Sequence, residues 1–100
     1  MTGKQKAWLK KKAHNMTVSV MVGDKGITAS LLTSLKDNLK ANELVKASVS
    51  HPDREVRKKL SEEIAEKTSS EIVALIGKTT ILYRANKEKP VISTELGKVK

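Results

Sequence analysis

The chain has 100 residues, with 20 Lys and Arg against 11 Asp and Glu, and it contains no cysteine. This length suits one domain with a single core. The lack of cysteine excludes disulfides, thiolate metal sites and thiol nucleophiles. No apolar run approaches the roughly 20 residues of a membrane span, and no signal-peptide pattern follows Met1. We therefore expect a cytoplasmic protein that does not bind a membrane.

The formal net charge of +9 is concentrated at the two ends of the chain. Residues 1–25 sum to +5 and residues 78–100 to +4, whereas residues 26–77 hold eight basic and eight acidic side chains. If the two ends meet on one face, they form a basic patch of the kind that binds nucleic acid. A solubilising surface is the alternative, but a charge of magnitude about 2–8 suffices for that purpose.

The first predicted element is a basic helix. Thr2 and Gln5 fit a capping box, and good helix formers follow until Asn15. One narrow arc of this helix is apolar, and we expect Trp8 in the core rather than as a stacking platform. His14 falls at the helix end, where it could contact RNA. The opposite arc is basic and, with no acid before Asp24, is interpreted as a binding surface rather than a solvated face: Lys4, Lys6, Lys10 and Lys11.

A short strand and a glycine loop come next. Val18, Val20 and Val22 alternate with other residues, which predicts a strand, and Gly23-Asp24-Lys25-Gly26 follows directly. Two glycines let the backbone approach a ligand closely, and the next helix offers unpaired N–H groups and a positive dipole end. We interpret this G-x-x-G loop as facing phosphate, against a plain tight turn. It is not a dinucleotide fingerprint or a P-loop.

Leucines at helical spacing predict a second helix, capped by Thr28 and ending at Asn42, for which we expect a left-handed conformation. Residues 44–49 are predicted as the second strand. A third helix opens at Pro52-Asp53, and its balanced charges indicate a structural role. Its predicted core face is Val56, Leu60 and Ile64.

The last two strands form a predicted hairpin. Residues 71–76 are almost wholly apolar and are expected to form a central strand. Gly77-Lys78 fits a two-residue turn, after which residues 80–84 return antiparallel. The order αβαβαββ predicts a compact two-layer α/β domain with a four-stranded mixed sheet over residues 1–89. The polar segment 90–100 is expected to be a mobile tail.

Enzymatic chemistry has little support in the sequence. No catalytic set of His, Asp and Ser can be picked out, and His14 and His51 lack a second ligand at metal spacing. Trp8 and Tyr83 are the only aromatic residues, so base stacking on several sheet aromatics is not expected. We predict a monomer that is not an enzyme and has no metal, cofactor or small-molecule substrate.

Five segments, in order, resemble the YhbY family of bacterial stand-alone CRM (chloroplast RNA splicing and ribosome maturation) domains. The resemblance runs from residue 2 to about residue 89. The segments are Thr2-Gly3-Lys4-Gln5-Lys6, Ala13-His14, Val22-Gly23-Asp24-Lys25-Gly26-Ile27-Thr28, Glu43-Leu44-Val45-Lys46 and Ile76-Gly77-Lys78-Thr79-Thr80-Ile81-Leu82-Tyr83-Arg84.

The resemblance implies a fold similar to the C-terminal domain of translation initiation factor three. It also implies RNA binding and association with precursors of the large ribosomal subunit. The family's KH-like loop maps onto Gly23 to Gly26, and its basic helix onto the lysines of the first helix. Many relatives carry Lys directly after the first glycine, where this chain has Asp24. A carboxylate there repels phosphate, so Lys25 and the backbone N–H groups would make the contact.

Together these observations predict an RNA-binding protein that assists ribosome maturation. One alternative is a protein-binding adaptor that uses the apolar sheet face or the third helix, with incidental RNA attraction. An RNA-modifying enzyme is a third and less supported hypothesis. The predicted RNA-binding residues are Gly23, Asp24, Lys25 and Gly26 of the loop, Lys4, Lys6, Lys10, Lys11 and His14 of the first helix, and Lys78 and Arg84.

Overall fold

The computed structural model describes residues 1–23 and 25–99. The first seven elements follow the expected αβαβαββ order, and a short fourth helix is added. They are α1 (Gly3–His14), β1 (Val20–Val22), α2 (Ala29–Asn42), β2 (Leu44–Val49), α3 (Arg54–Lys67), β3 (Glu71–Ile76), β4 (Thr79–Tyr83) and α4 (Ser93–Leu96).

The four strands form one mixed sheet in the order β1-β2-β4-β3. β1 pairs parallel with β2, whereas β4 pairs antiparallel with both β2 and β3. The apolar β3 therefore lies at an edge, and its predicted central position is wrong. Helices cover both faces of its first half, where Ile72 packs in one core cluster and Val73 in the other, whereas Leu75 and Ile76 are exposed.

Helices cover both faces of the sheet. Val45 of β2 packs in a cluster with α2 and α3, whereas the preceding Leu44 packs with Leu9 and Ala13 of α1. Successive side chains of a strand point to opposite faces, so α1 lies across the sheet from α2 and α3. The α/β class and the mixed four-stranded sheet are confirmed. The arrangement has three layers rather than the two expected, because the narrow apolar arc of α1 covers part of the second face.

Local signals place the helix starts correctly. Thr2 and Gln5 form the capping box, Thr28 caps α2, and Asp53 caps α3. The end of α2 differs, because the residue with positive φ is Glu43 and not Asn42, with φ 62°. Positive φ strains the backbone of a non-glycine residue. Here that conformation sends the Glu43 side chain inward.

The Glu43 carboxylate is fully buried and holds the segment after β4. Its Oε2 accepts the Asn86 N–H at 2.6 Å. Its Oε1 accepts the N–H groups of Val91, Ile92 and Ser93 at 2.6, 2.6 and 2.9 Å. Burial alone would raise the pKa of Glu43, but these four donors outweigh it and lower the pKa from 4.5 to about 2.

The segment held by Glu43 packs back onto α1. Leu96 is buried in the α1 cluster, and its carbonyl accepts the Gln5 side chain at 3.4 Å. Glu95 lies 3.5 Å from the Lys12 ammonium. Residues 91–99 thus differ from the loose tail expected, because a sequence pattern does not reveal a distant buried carboxylate. Lys100 lies outside the described residues. Within the described chain no helix is long and apolar enough to span a bilayer.

Candidate nucleic-acid interface

The G-x-x-G loop lies at the end of β1 and opens toward solvent. The Gly26 N–H donates to the Gly23 carbonyl at 2.9 Å and closes a turn, and Gly26 takes a left-handed φ of 67°. A Cβ built on either glycine would meet no atom within 4 Å, so both stand in open space. Lys25 is exposed, and Asp24 lies outside the described residues. A ligand can therefore approach the loop backbone closely.

The loop runs into the positive end of α2. Thr28 accepts the Leu31 N–H at 3.1 Å and so satisfies one donor of the first turn. The 14 residues of α2 give this end the partial positive charge of a full helix dipole. Phosphate at the loop would experience both that dipole and Lys25.

Lys78 lies at the same end of the sheet as the loop. The Ser50 N–H donates to the Val22 carbonyl at 3.0 Å, and the Val49 N–H donates to the Lys78 carbonyl at 2.7 Å. Neighbouring strands are about 4.8 Å apart, so the Lys78 backbone lies about 10 Å from Val22 across β2. We call the exposed end formed by Gly23, Lys25, Gly26 and Lys78 the loop-end surface.

The connection from α1 to β1, which precedes the loop, lies against β2. The Lys46 ammonium donates to the Met16 carbonyl at 3.4 Å, and the Ser19 N–H donates to the Lys46 carbonyl at 2.9 Å. These bonds hold the connection from α1 to β1 against β2. Lys12 is held separately, 5.0 Å from the centre of the Trp8 ring and in contact with Glu95. The predicted binding residues of α1 are all exposed: Lys4, Lys6, Lys10, Lys11 and His14.

Arg84 is not brought together with the loop. It follows β4, and its N–H donates to the Glu43 carbonyl at 2.9 Å. Its guanidinium donates to the Thr68 carbonyl at 3.2 Å. The five residues of β4 span about 17 Å, which places Arg84 at the opposite end of the sheet from Lys78. Arg84 therefore lies away from the loop-end surface, and its contact with RNA stays a prediction.

Sequence reasoning overlooked the first half of α3. Together with its cap Asp53 the helix is neutral, but three of its four acids lie in the second half: Glu62, Glu63 and Glu66. The first half presents a basic face at spacings of three and four residues, a pattern visible in the sequence: Arg54, Arg57 and Lys58.

Nothing in the described part of the chain indicates a metal site or a catalytic base. Residues 1–23 and 25–99 contain no group of three His, Cys, Asp or Glu side chains able to hold a metal ion. His51 accepts the Asp53 N–H at 3.0 Å and serves its local turn. Burial, together with the charge of Glu43, raises the pKa of Tyr83, so this phenol stays protonated and is not a base at neutral pH.

A model of the CRS1/YhbY (CRM) domain matches residues 1–84. The chain belongs to this family. The CRM domain match covers α1 to β4, including the loop-end surface, and ends before the residues that Glu43 holds.

The similarity of this CRM domain to its relatives extends over nearly the whole chain. It is 35% identical to the probable RNA-binding protein YqeI of Bacillus subtilis, over 92% of this chain and 96% of that protein. It is 33% identical to an RNA-binding protein of Haemophilus influenzae, over 91% and 92% of the two chains. The solution structure of SAV1595 from Staphylococcus aureus superimposes with a TM-score of 0.78 at 36% identity, over 89% and 93%. The fold is therefore shared with a solved structure.

Proposed function

We propose that this chain is a cytoplasmic RNA-binding protein that acts on ribosomal RNA or on precursors of the large ribosomal subunit and assists their maturation. The observation that carries the proposal is the shared sheet end, where the open glycine loop, the start of α2 and Lys78 lie together. Two relatives are named as RNA-binding proteins, which supports the proposal that this chain binds RNA. The ribosomal part rests on the resemblance to the YhbY family.

The proposed mechanism is electrostatic. Lys25, Lys78 and the loop backbone contact phosphates at the sheet end, while the exposed lysines of α1 supply long-range attraction. Tyr83 is buried and Trp8 is partly buried, which argues against binding dominated by base stacking.

Salt dependence tests this mechanism. With about four to six phosphate contacts, the logarithm of RNA affinity should fall with the logarithm of salt concentration at a slope of about −3 to −5. Fluorescence anisotropy with a labelled ribosomal RNA fragment between 50 and 300 mM KCl measures the slope. A nearly flat line would contradict electrostatic binding.

A charge reversal tests the loop itself. We expect Lys25→Asp to weaken RNA binding about tenfold, because it removes one phosphate contact and adds a repulsive charge. The melting temperature should not change, since Lys25 is exposed. Lys87→Asp is the matched control, because Lys87 is also an exposed loop residue but lies beside Arg84 at the far end. Equal losses in the two variants would show that the loop has no special role.

Crosslinking in cells followed by sequencing tests the identity of the RNA. We expect reads concentrated in the RNA of the large ribosomal subunit and its precursors. Reads concentrated in other transcripts would overturn the ribosomal part of the proposal and leave RNA binding intact.

One observation favours a protein-binding adaptor as the second candidate. Met21 is 72% exposed and Ile76 is 47% exposed on the sheet face that α1 leaves open. The register places them in one row with Ser48 and Thr79. Co-sedimentation with ribosomal particles that survives both high salt and RNase would favour this candidate over RNA binding.

A further inference from the structure

A second basic site lies on the α3 face of the sheet, between the first half of α3 and the turn from β3 to β4. It is a cavity of about 510 Å³. Every charged side chain that lines it is basic: Arg54, Arg57, Lys58 and Lys78. The remaining lining residues are Val49, Ser61, Leu75, Gly77 and Thr80.

Arg57 is fixed in this cavity but retains hydrogen-bonding capacity. Its Nη1 donates to the carbonyls of His51 and Pro52 at 2.6 and 3.1 Å, which fixes the guanidinium against the turn before α3. Its Nε is buried and has no acceptor among residues 1–23 and 25–99. A buried donor without a partner costs free energy, so the protein alone does not satisfy this guanidinium.

The cavity floor is polar, but its hydroxyl protons are already used. Ser61 donates to the Arg57 carbonyl at 2.8 Å, and the hydroxyl oxygens of Ser61 and Thr80 lie 2.6 Å apart. With its own proton directed to Arg57, Ser61 must accept from Thr80. Both residues are almost fully buried, so the floor is rigid and the four cations remain to bind a ligand.

The chemistry of the lining selects an oxyanion. Four like charges repel one another, and no carboxylate in the lining offsets them. The planar fork of arginine and the point charge of lysine are the side chains that best fit phosphate. The start of α3 adds its dipole, although the Asp53 carboxylate already accepts the Glu55 N–H there. The side chains therefore carry the site, and the helix end only assists.

We infer that this cavity binds a phosphate group of the same RNA that the loop-end surface holds. Lys78 belongs to both sites, so an RNA strand that runs along the sheet end from Lys25 passes Lys78 before it reaches Arg57. Leu75, which is 45% exposed, offers an apolar wall for the adjoining sugar. The inference that the phosphate belongs to RNA rests on the proposed function, whereas the inference of an anion site rests only on the geometry of the cavity.

A matched pair of neutral variants tests the RNA contact. Lys58 and Lys59 are adjacent, exposed lysines of α3, and only Lys58 lines the cavity. We expect Lys58→Gln to weaken RNA binding about threefold to tenfold and to reduce the steepness of the salt slope by about 0.7–0.9. Lys59→Gln should leave both nearly unchanged, and the two variants should melt at the same temperature. Equal effects in the two variants would overturn the RNA contact.

A titration with inorganic phosphate tests the cavity without RNA. At constant ionic strength, we expect saturable shifts of the amide resonances of Gly77 and Thr80, absent in the Arg54→Gln/Lys58→Gln double variant. If phosphate shifts these resonances but Lys58→Gln and Lys59→Gln bind RNA equally well, the cavity is an anion site whose phosphate does not come from RNA. If neither phosphate shifts nor a Lys58 effect is seen while the wild-type chain binds RNA, the cavity proposal fails and the proposed function stands. If the wild-type chain binds no RNA, the proposed function fails, the cavity is not an RNA contact, and the phosphate titration alone decides whether it is an anion site.

Discussion

Glu43→Gln is expected to lower the free energy of unfolding by about 3 kcal/mol at neutral pH. This loss corresponds to the difference between the ordinary pKa of 4.5 and the folded pKa of about 2. A glutamine offers one acceptor oxygen and an NH2 group, so at least one of the four backbone donors would face another donor. Urea denaturation of both proteins measures the loss.

Acid should produce the same loss in the wild-type chain. A carboxylate with a depressed folded pKa stabilises fully above its unfolded pKa, and this stabilisation is lost as pH falls through the folded value. The contribution of Glu43 should therefore decline between about pH 4.5 and about pH 2. In Glu43→Gln this part of the acid destabilisation should be missing.

The control for Glu43 is Glu62→Gln, an exposed acid in the middle of α3. We expect it to change the stability by less than about 0.5 kcal/mol. Hydrogen exchange locates the effect, since the amides of Val91, Ile92 and Ser93 should exchange faster in Glu43→Gln. Equal stability of the two variants, or unchanged exchange at these amides, would show that the carboxylate does not hold the C-terminal segment.

Neutralising the basic face of α1 is expected to weaken RNA binding about a hundredfold at 0.1 M salt and to reduce the steepness of the salt slope by about 2 to 3. The variant replaces Lys4, Lys6, Lys10 and Lys11 by glutamine. All four side chains are exposed, and the apolar residues that anchor α1 are untouched, so the fold should be retained. Anisotropy titrations at several salt concentrations measure both quantities.

The control for α1 removes the same charge elsewhere. Four exposed lysines on α2 and α3 lie across the sheet from α1 and outside the α3 cavity: Lys36, Lys40, Lys59 and Lys67. Their replacement by glutamine should reduce the affinity severalfold at most, through the lower net charge. A loss as large as that of the α1 variant would mean that only the total charge matters.

Local and periodic features of the fold could be predicted from the sequence, and features that depend on distant residues could not. The capping box at Thr2 and the two-residue turn at Gly77 involve neighbours in the chain, and both are present. The pattern of apolar residues in a strand shows which of its faces are covered but not which strands lie beside it. The edge position of β3 could therefore not be predicted. The positive φ of Glu43, in place of Asn42, could not be predicted because the hydrogen-bond partners of Glu43 lie 43 to 50 positions away in the chain.

The candidate site shows the same division. The glycine loop and the lysines of α1 could be predicted because their chemistry is contained in short segments. The separation of Arg84 from Lys78 depends on the direction of β4, and the basic cavity depends on the meeting of α3 with the β3–β4 turn. Summing charge over the whole of α3 concealed its basic first half.

The position of β4 also governs how this chain reaches its folded state. β4 is the last strand in sequence, yet it lies between β2 and β3 and pairs with both. Before residues 79–83 are synthesised, β2 has one unpaired edge and β3 has no partner strand at all. Pairings at such large sequence separation slow folding, and open strand edges favour association with other chains. The sheet can therefore form completely only once β4 is available, and the 86–93 segment can dock on Glu43 only in that same final stage.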